Sequence, residues 1–190
     1  RGIERKDSNN YNGAISDFTA AIRIKPDYDF AYFQRAYAKA ELKDYYGAIS
    51  DYSKTIELIP DYAEIQVFYN NRGNVKANLK DYKGAIEDYD IAIEFNPDYT
   101  DTYNNRGLAK MNLKDYKGAM NDFSKAIELD PDYTDAYYNR GIVKMNLKDY
   151  YGAIEDNSKA IELDPDYTDA YLNRGIVKMN LKDYYGAIND

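Results

Sequence analysis

Five prolines, Pro26, Pro60, Pro97, Pro131 and Pro165, follow one another at intervals of 34, 37, 34 and 34 residues. A period of that length means one supersecondary unit repeated end to end, each copy resting on its neighbours rather than on a shared central core. Every proline closes the same phrase: Asp-Tyr-x-Gly-Ala with Ile or Met, then in the best copies Ala-Ile-Glu-Leu-x-Pro-Asp-Tyr. The unit is a pair of helices, and residues 1–190 form one elongated all-α array, although the length alone would suit one or two globular domains.

One copy shows the grammar. From Thr134 to Leu147 an apolar stripe runs through Tyr137, Gly141 and Met145, or Tyr138, Ile142 and Met145, and predicts a first helix over 134–147. Its counterparts are 29–42, 100–113 and 168–181. Lys148-Asp149-Tyr150 is a short connection in which Asp149 caps the next helix, as Asp44, Asp81, Asp115 and Asp183 do in theirs. The second helix spans 150–163, with Ala153, Ile154, Asn157, Ala160 and Ile161 inward, and counterparts at 45–58, 82–95 and 116–129. Pro165 ends it, because proline cannot continue the hydrogen-bond ladder. The copies are 29–62, 63–99, 100–133 and 134–167, with partial copies at 1–28 and 168–190. Three extra residues, Ala63 to Ile65, account for the 37-residue interval and are expected to lengthen a first helix by nearly one turn. Both ends fall inside a repeat, so a piece of a longer chain is expected. Without polar capping helices, uncovered apolar ends would favour end-to-end self-association.

Composition narrows the function. With 25 Lys+Arg against 33 Asp+Glu, a formal net charge of -8 argues against nucleic acid or an anionic membrane as partner. The chain has no cysteine and no histidine, which removes thiol catalysis, imidazole or thiolate metal sites and the usual general base near neutral pH. No catalytic residue, metal site or cofactor is therefore expected. No apolar run approaches the ~18 residues of a membrane span, and residues 1–6 do not read as a signal peptide. The compartment stays undetermined.

The pattern resembles the tetratricopeptide repeat family along essentially the whole chain. The early aromatic is Tyr32, Tyr69, Tyr103, Tyr137 and Tyr171; the small residue four positions on is Gly2, Ala36, Gly73, Gly107, Gly141 and Gly175; the second-helix alanine is Ala14, Ala48, Ala85, Ala119, Ala153 and Ala187. The resemblance implies a right-handed superhelical solenoid of stacked helix-turn-helix repeats, with first helices on a concave face that holds an extended peptide or a partner helix. Three departures stand out. Arginine replaces the usual leucine at Arg1, Arg35, Arg72, Arg106, Arg140 and Arg174; Thr55 stands where Ala21, Ala92, Ala126 and Ala160 sit; and Asn157 replaces the aromatic of Phe18, Tyr52, Tyr89 and Phe123. A buried amide at Asn157 softens its repeat by roughly 1–3 kcal/mol unless it finds partners.

On the first helices, carboxamides recur. Asn71, Asn105, Asn139 and Asn173 precede each arginine, with Gln34 one repeat earlier, and Asn78, Asn112, Asn146 and Asn180 follow seven residues on, with Leu108, Ile142 or Ile176 between the rows. An amide can donate to and accept from a peptide group at once, so such a ladder holds an extended backbone without reading its sequence. Long members of the resembled family are known for this arrangement. Biased composition on a solvated face would give the same letters. Tyr138 and Phe33 should also face the groove. The positions of the family's carboxylate clamp carry Phe33, Asn70, Asn104, Tyr138 and Leu172 instead of lysine and arginine, and Asp101, Asp135 and Asp169 stand nearby. A neutral or basic extended segment is the better partner.

Each arginine has an acid sixteen residues later: Asp17, Asp51, Asp88, Asp122, Asp156 and Asp190. The series reads as a repeated structural ion pair, made either within a repeat or with the preceding second helix. The 23 tyrosines read mainly as packing residues. The sequence thus favours a non-enzymatic interaction module. Its alternatives are a self-associating scaffold and the recruiting arm of an enzyme whose catalytic domain lies elsewhere.

Overall fold

The computed structural model describes residues 10–61 and 63–183. Arg1, Gly2, Ala187 and Asp190, named above in the repeat series, lie outside them. Two compact units divide the chain, 1–97 and 98–190. The first holds α1 (Tyr11–Ile24), α2 (Asp29–Glu41), α3 (Tyr45–Leu58), α4 (Ile65–Asn78) and α5 (Tyr82–Phe95). The second holds α6 (Thr100–Asn112), α7 (Tyr116–Leu129), α8 (Thr134–Asn146), α9 (Tyr150–Leu163) and α10 (Thr168–Asn180). Among the described residues there is no strand, and no helix is long and apolar enough to cross a membrane.

Two local devices set the helix ends. Each first helix closes in a Schellman turn: the Asp149 N–H donates to the Lys144 carbonyl at 2.9 Å and the Lys148 N–H to the Met145 carbonyl at 3.0 Å. The turn needs a left-handed residue, and lysine supplies it five times, at Lys43, Lys80, Lys114, Lys148 and Lys182, with φ between 62° and 64°. The following aspartate then caps the second helix: Asp44, Asp81, Asp115 and Asp149 accept from the N–H of Gly47, Gly84, Gly118 and Gly152 at 2.9–3.1 Å. At Gly152 the Asp149 carboxylate fills the space a Cβ would take, 2.3 Å from Oδ2, so a larger residue there would make the cap shift.

Packing within a repeat depends on one small residue against one large one. A Cβ on Gly107 would fall 2.7 Å from the Phe123 ring, and one on Gly73 2.6 Å from the Tyr89 ring, so the aromatic lies flush on the first-helix backbone. Ala119, Phe123 and Val143 form one buried cluster, which carries the contact on to the next first helix. In unit 1, Ala36, Ala48, Tyr52 and Val75 do the same.

The 37-residue interval is resolved differently from the expectation. α4 has 14 residues against 13 in α2, α6, α8 and α10, so the extra residues do not add a helical turn. Ala63 and Glu64 stay in the connection and only Ile65 joins the helix. Ile65 is buried, and its anchoring keeps the next residue, Gln66, in register with the first residue of the other first helices.

Asn157 finds the partners that a buried amide requires. It is fully buried, its Nδ2 donates to the Ala153 carbonyl at 2.7 Å, and its Oδ1 accepts from Asn173 Nδ2 at 3.2 Å. A directional bond to the next first helix thus stands where other repeats have a ring. Replacing Asn157 by alanine strands the Asn173 amide and should lower the unfolding free energy by about 1–3 kcal/mol in urea titrations followed by circular dichroism. An unchanged midpoint would show that this bond contributes nothing to the junction.

Candidate functional site

The arginine–aspartate series forms within each repeat. Arg140 Nε and Nη2 donate to Asp156 Oδ2 and Oδ1 at 2.9 and 2.7 Å, and Arg35 with Asp51, Arg72 with Asp88 and Arg106 with Asp122 match it. Each carboxylate also takes a lysine from one turn further along the first helix: Lys39, Lys76, Lys110 and Lys144, all at 2.8 Å. The repeat pattern alone does not single out this second cation, though lysine recurs four residues after Arg35, Arg72, Arg106, Arg140 and Arg174. The aspartates are nearly fully buried and the cations reach the surface. The hydrogen bond that Arg140 donates to Asp156 raises the Arg140 pKa above the ordinary value, against the opposing effect of burial.

The guanidinium does more than neutralise the acid. Its Nη1 crosses to the second helix of the preceding repeat, from Arg35 to Thr19, Arg72 to Ser53, Arg140 to Ser124 and Arg174 to Ser158, at 2.9–3.2 Å. Its Cζ lies over the ring of the tyrosine one turn earlier, 5.3–5.6 Å from the ring centre. A carboxylate with both oxygens held by cations is poorly disposed to act as a base, so the cluster is architectural. Asp122→Ala leaves Arg106 and Lys110 facing an empty site. The expected loss is about 3 kcal/mol in a denaturant titration, at the low end for a broken buried pair because both cations can turn to water.

A second link joins an acid near the start of one first helix to the tyrosine that caps the next first helix. Tyr133 donates to Asp101 at 3.0 Å and Tyr167 to Asp135 at 2.6 Å, while Tyr138 meets the edge of the Tyr167 ring with centres 5.2 Å apart. Burial, then the neighbouring carboxylates, push both phenols well above the ordinary tyrosine value, and burial does the same to Tyr52 and Tyr89. In the unfolded chain these phenols ionise near pH 10.0 and in the folded chain later. Their contribution is therefore intact below pH 10 and is lost as pH rises above it. Alkaline titration should show a set of tyrosines whose phenolate absorbance appears only together with loss of the helical signal. Full ionisation with helices intact would contradict the burial described here.

The carboxamide rows are placed unequally. In unit 2, Asn139 and Asn173 are 8% and 6% exposed, and Asn139 Nδ2 donates to Asn104 Oδ1 at 3.0 Å, just as Asn173 donates to Asn157. Asn105 is half-buried. The later row, Asn112, Asn146 and Asn180, is exposed; Asn112 and Asn146 each donate at 2.8 Å to the carbonyl four residues back, and Asn146 Oδ1 accepts from the Tyr116 hydroxyl at 3.4 Å. Leu108 and Ile142 are half-buried between the rows, and Tyr138 is half-buried above them. On α10, Leu172, Ile176 and Met179 are exposed. In unit 1, Gln34 and Asn71 are half-buried and Asn78 is exposed, while Asn74, not singled out by the repeat pattern, accepts from the Tyr89 hydroxyl at 2.7 Å. Among the clamp positions, Asn70 and Asn104 are buried and Phe33 is half-buried. Among the described residues no group of three or more acids is placed to hold a metal ion.

Profiles of the tetratricopeptide repeat match residues 31–62, 67–99, 100–133 and 134–167. The chain belongs to the tetratricopeptide repeat family. No curated protein matches it in sequence. Among solved structures, MamA of Desulfovibrio magneticus is similar with a TM-score of 0.80 at 21% identity, over 87% of this chain and 92% of its own. A tetratricopeptide repeat protein of Parabacteroides merdae gives 0.83 at 18% identity, over 99% and 73%. YrrB, a tetratricopeptide protein with an unusual peptide-binding site, gives 0.73 at 22% identity, over 89% and 86%. The fold is thus the all-α solenoid of this family, whose members are generally non-catalytic and bind protein or peptide partners, and the chain is a protein-interaction module.

Proposed function

We propose that the chain binds an extended peptide, or one face of a partner helix, along the surface formed by its first helices, with the carboxamides engaging the ligand backbone. The observation that carries this reading is the exposed row Asn112, Asn146 and Asn180, which repeats at one position of α6, α8 and α10; a carboxamide has two N–H groups, and the bonds of Asn112 and Asn146 to their own helices use one each. Asn105, Asn139 and Asn173 lie two turns earlier on the same helices, where they brace the surface and Asn105 retains partial access. Gln34, Asn71 and Asn78 are the corresponding groups of unit 1, and Tyr138 offers a half-buried ring against which a ligand side chain packs. YrrB, with its peptide-binding site, supports the general mode. Asp169 and the net charge of -8 favour a neutral or basic segment over an acidic one.

A second reading is self-association as a scaffold, through the apolar row Leu172, Ile176 and Met179 that α10 exposes among its amides. Light scattering across a concentration series separates the two, since growth of the particle with concentration belongs only to the scaffold.

The peptide reading is tested with a ligand selected from a random peptide library. Replacing Asn112, Asn146 and Asn180 together by alanine should keep the helical signal and weaken binding about a hundredfold, at roughly 1 kcal/mol for each amide contact. Replacing Lys125 and Lys159, which pair with Glu128 and Glu162 on the second helices, should change little. Binding that survives the triple change but is lost with the lysines would assign function to the other face.

A further inference from the structure

Within unit 1, the two adjacent repeats 29–62 and 63–99 break the common pattern at several positions, and the breaks meet at one place. An open cavity of about 210 Å³ lies where α2, the end of α3 and the start of α4 come together. Phe30 and Val67 line it from the register position that holds Asp101, Asp135 and Asp169 in the later copies. Phe68 lines it from the position of Thr102, Ala136 and Ala170, and Thr55 from that of Ala92, Ala126 and Ala160. Two carboxylates of a different character complete the wall: Asp29, and Glu64 from the three extra residues.

The walls are fixed and the mouth is charged. Phe33 and Phe68 meet edge to face with ring centres 5.1 Å apart, which holds both rings. Thr55 is buried and its hydroxyl is already committed to the Asp51 carbonyl at 3.1 Å, so the floor offers an incoming group no free donor. Phe30 is 40% exposed, an uncovered aromatic beside a cavity that its own ring does not fill. Glu64 is exposed and Asp29 half-exposed, and neither has an ion-pair partner among the described residues. An apolar cavity of about 150 Å³ accepts benzene, so this one has room for a phenyl ring.

We propose that the cavity is an anchor site for one large apolar side chain of a partner peptide whose flanking residues are basic. The aromatic walls take the side chain out of water, and Asp29 and Glu64 meet the flanking cations at the mouth. An acidic segment would bring like charges together there. The proposal is independent of the carboxamide rows, none of whose members lines the cavity.

The probe is the capped tripeptide Ac-Lys-Phe-Lys-NH2, titrated into the ¹⁵N-labelled chain and followed by amide chemical shifts. The expected result is a saturating shift confined to residues around Phe30, Thr55, Val67 and Phe68, with Kd on the order of millimolar. Ac-Lys-Ala-Lys-NH2 and Ac-Glu-Phe-Glu-NH2 should bind at least about tenfold more weakly. Val67→Asp installs the residue found at this position in the later copies and should abolish the shifts with helicity unchanged; if it lowers helicity, Phe30→Asp replaces it, at a side chain already partly in water. The Asn112, Asn146 and Asn180 triple variant should bind the tripeptide normally, which keeps failure of the anchor site distinct from failure of the amide surface. Equal binding of the three peptides, shifts centred elsewhere or no saturation by about 10 mM would overturn the proposal, as would undiminished binding by a folded Val67→Asp or Phe30→Asp.

Discussion

A carboxylate taken out of water between two helices must meet opposite charge, and in this protein that requirement organises each repeat. Asp51, Asp88, Asp122 and Asp156 are buried on the second helices and each draws an arginine and a lysine from the first. Apolar packing such as Phe123 on Gly107 already favours one placement of the two helices. The bidentate fork adds direction to it, since its two bonds are satisfied together only near that placement. At Arg35, Arg72 and Arg140 the remaining guanidinium nitrogen donates to a hydroxyl of the preceding repeat, so there one side chain sets both the angle within a repeat and the step to its neighbour. Such an arrangement need not add much net stability over a well-packed leucine; its contribution is to geometry.

How much of this was legible in the sequence depends on whether a residue acts through a pattern or through an encounter. Helix limits were legible because they are local: Asp149 with Gly152 makes a cap and Pro165 a stop in any context, and the second helices fall where the spacing put them. The partner of each arginine was narrowed to two aspartates, and only the stacking geometry could choose between them. The lysine was missed because an ammonium one turn from an arginine reads as one more solvated charge until the buried acid is seen between them. The two extra residues held in a turn rather than a helix could not be read from spacing either, since burial of Ile65 decided it. Periodicity carries no information about depth, and depth is what separates Asn139 from Asn146.

Regularity and exception divide the molecule's surface chemistry. Where the copies agree, side chains are consumed in holding neighbours: arginine on aspartate, tyrosine on aspartate, serine on arginine. Groups that remain outward at regular spacing, the exposed asparagines, suit a ligand that is itself regular, such as a peptide backbone. Groups that break the spacing suit a ligand with one distinctive side chain, and in unit 1 those breaks collect at a single cavity.

The amide at Asn157 also gives the stack an uneven response to temperature. Rings such as Phe123 and Tyr89 hold their junctions by expelling water, an attraction that weakens on cooling and carries most of the heat capacity of unfolding. The bonds of Asn157 to Ala153 and Asn173 bury little apolar surface and lack that dependence. Cold therefore loosens the aromatic junctions first and leaves the amide junction comparatively firm, so neighbouring repeats with nearly the same sequence respond to a chill in opposite order to their apparent packing quality.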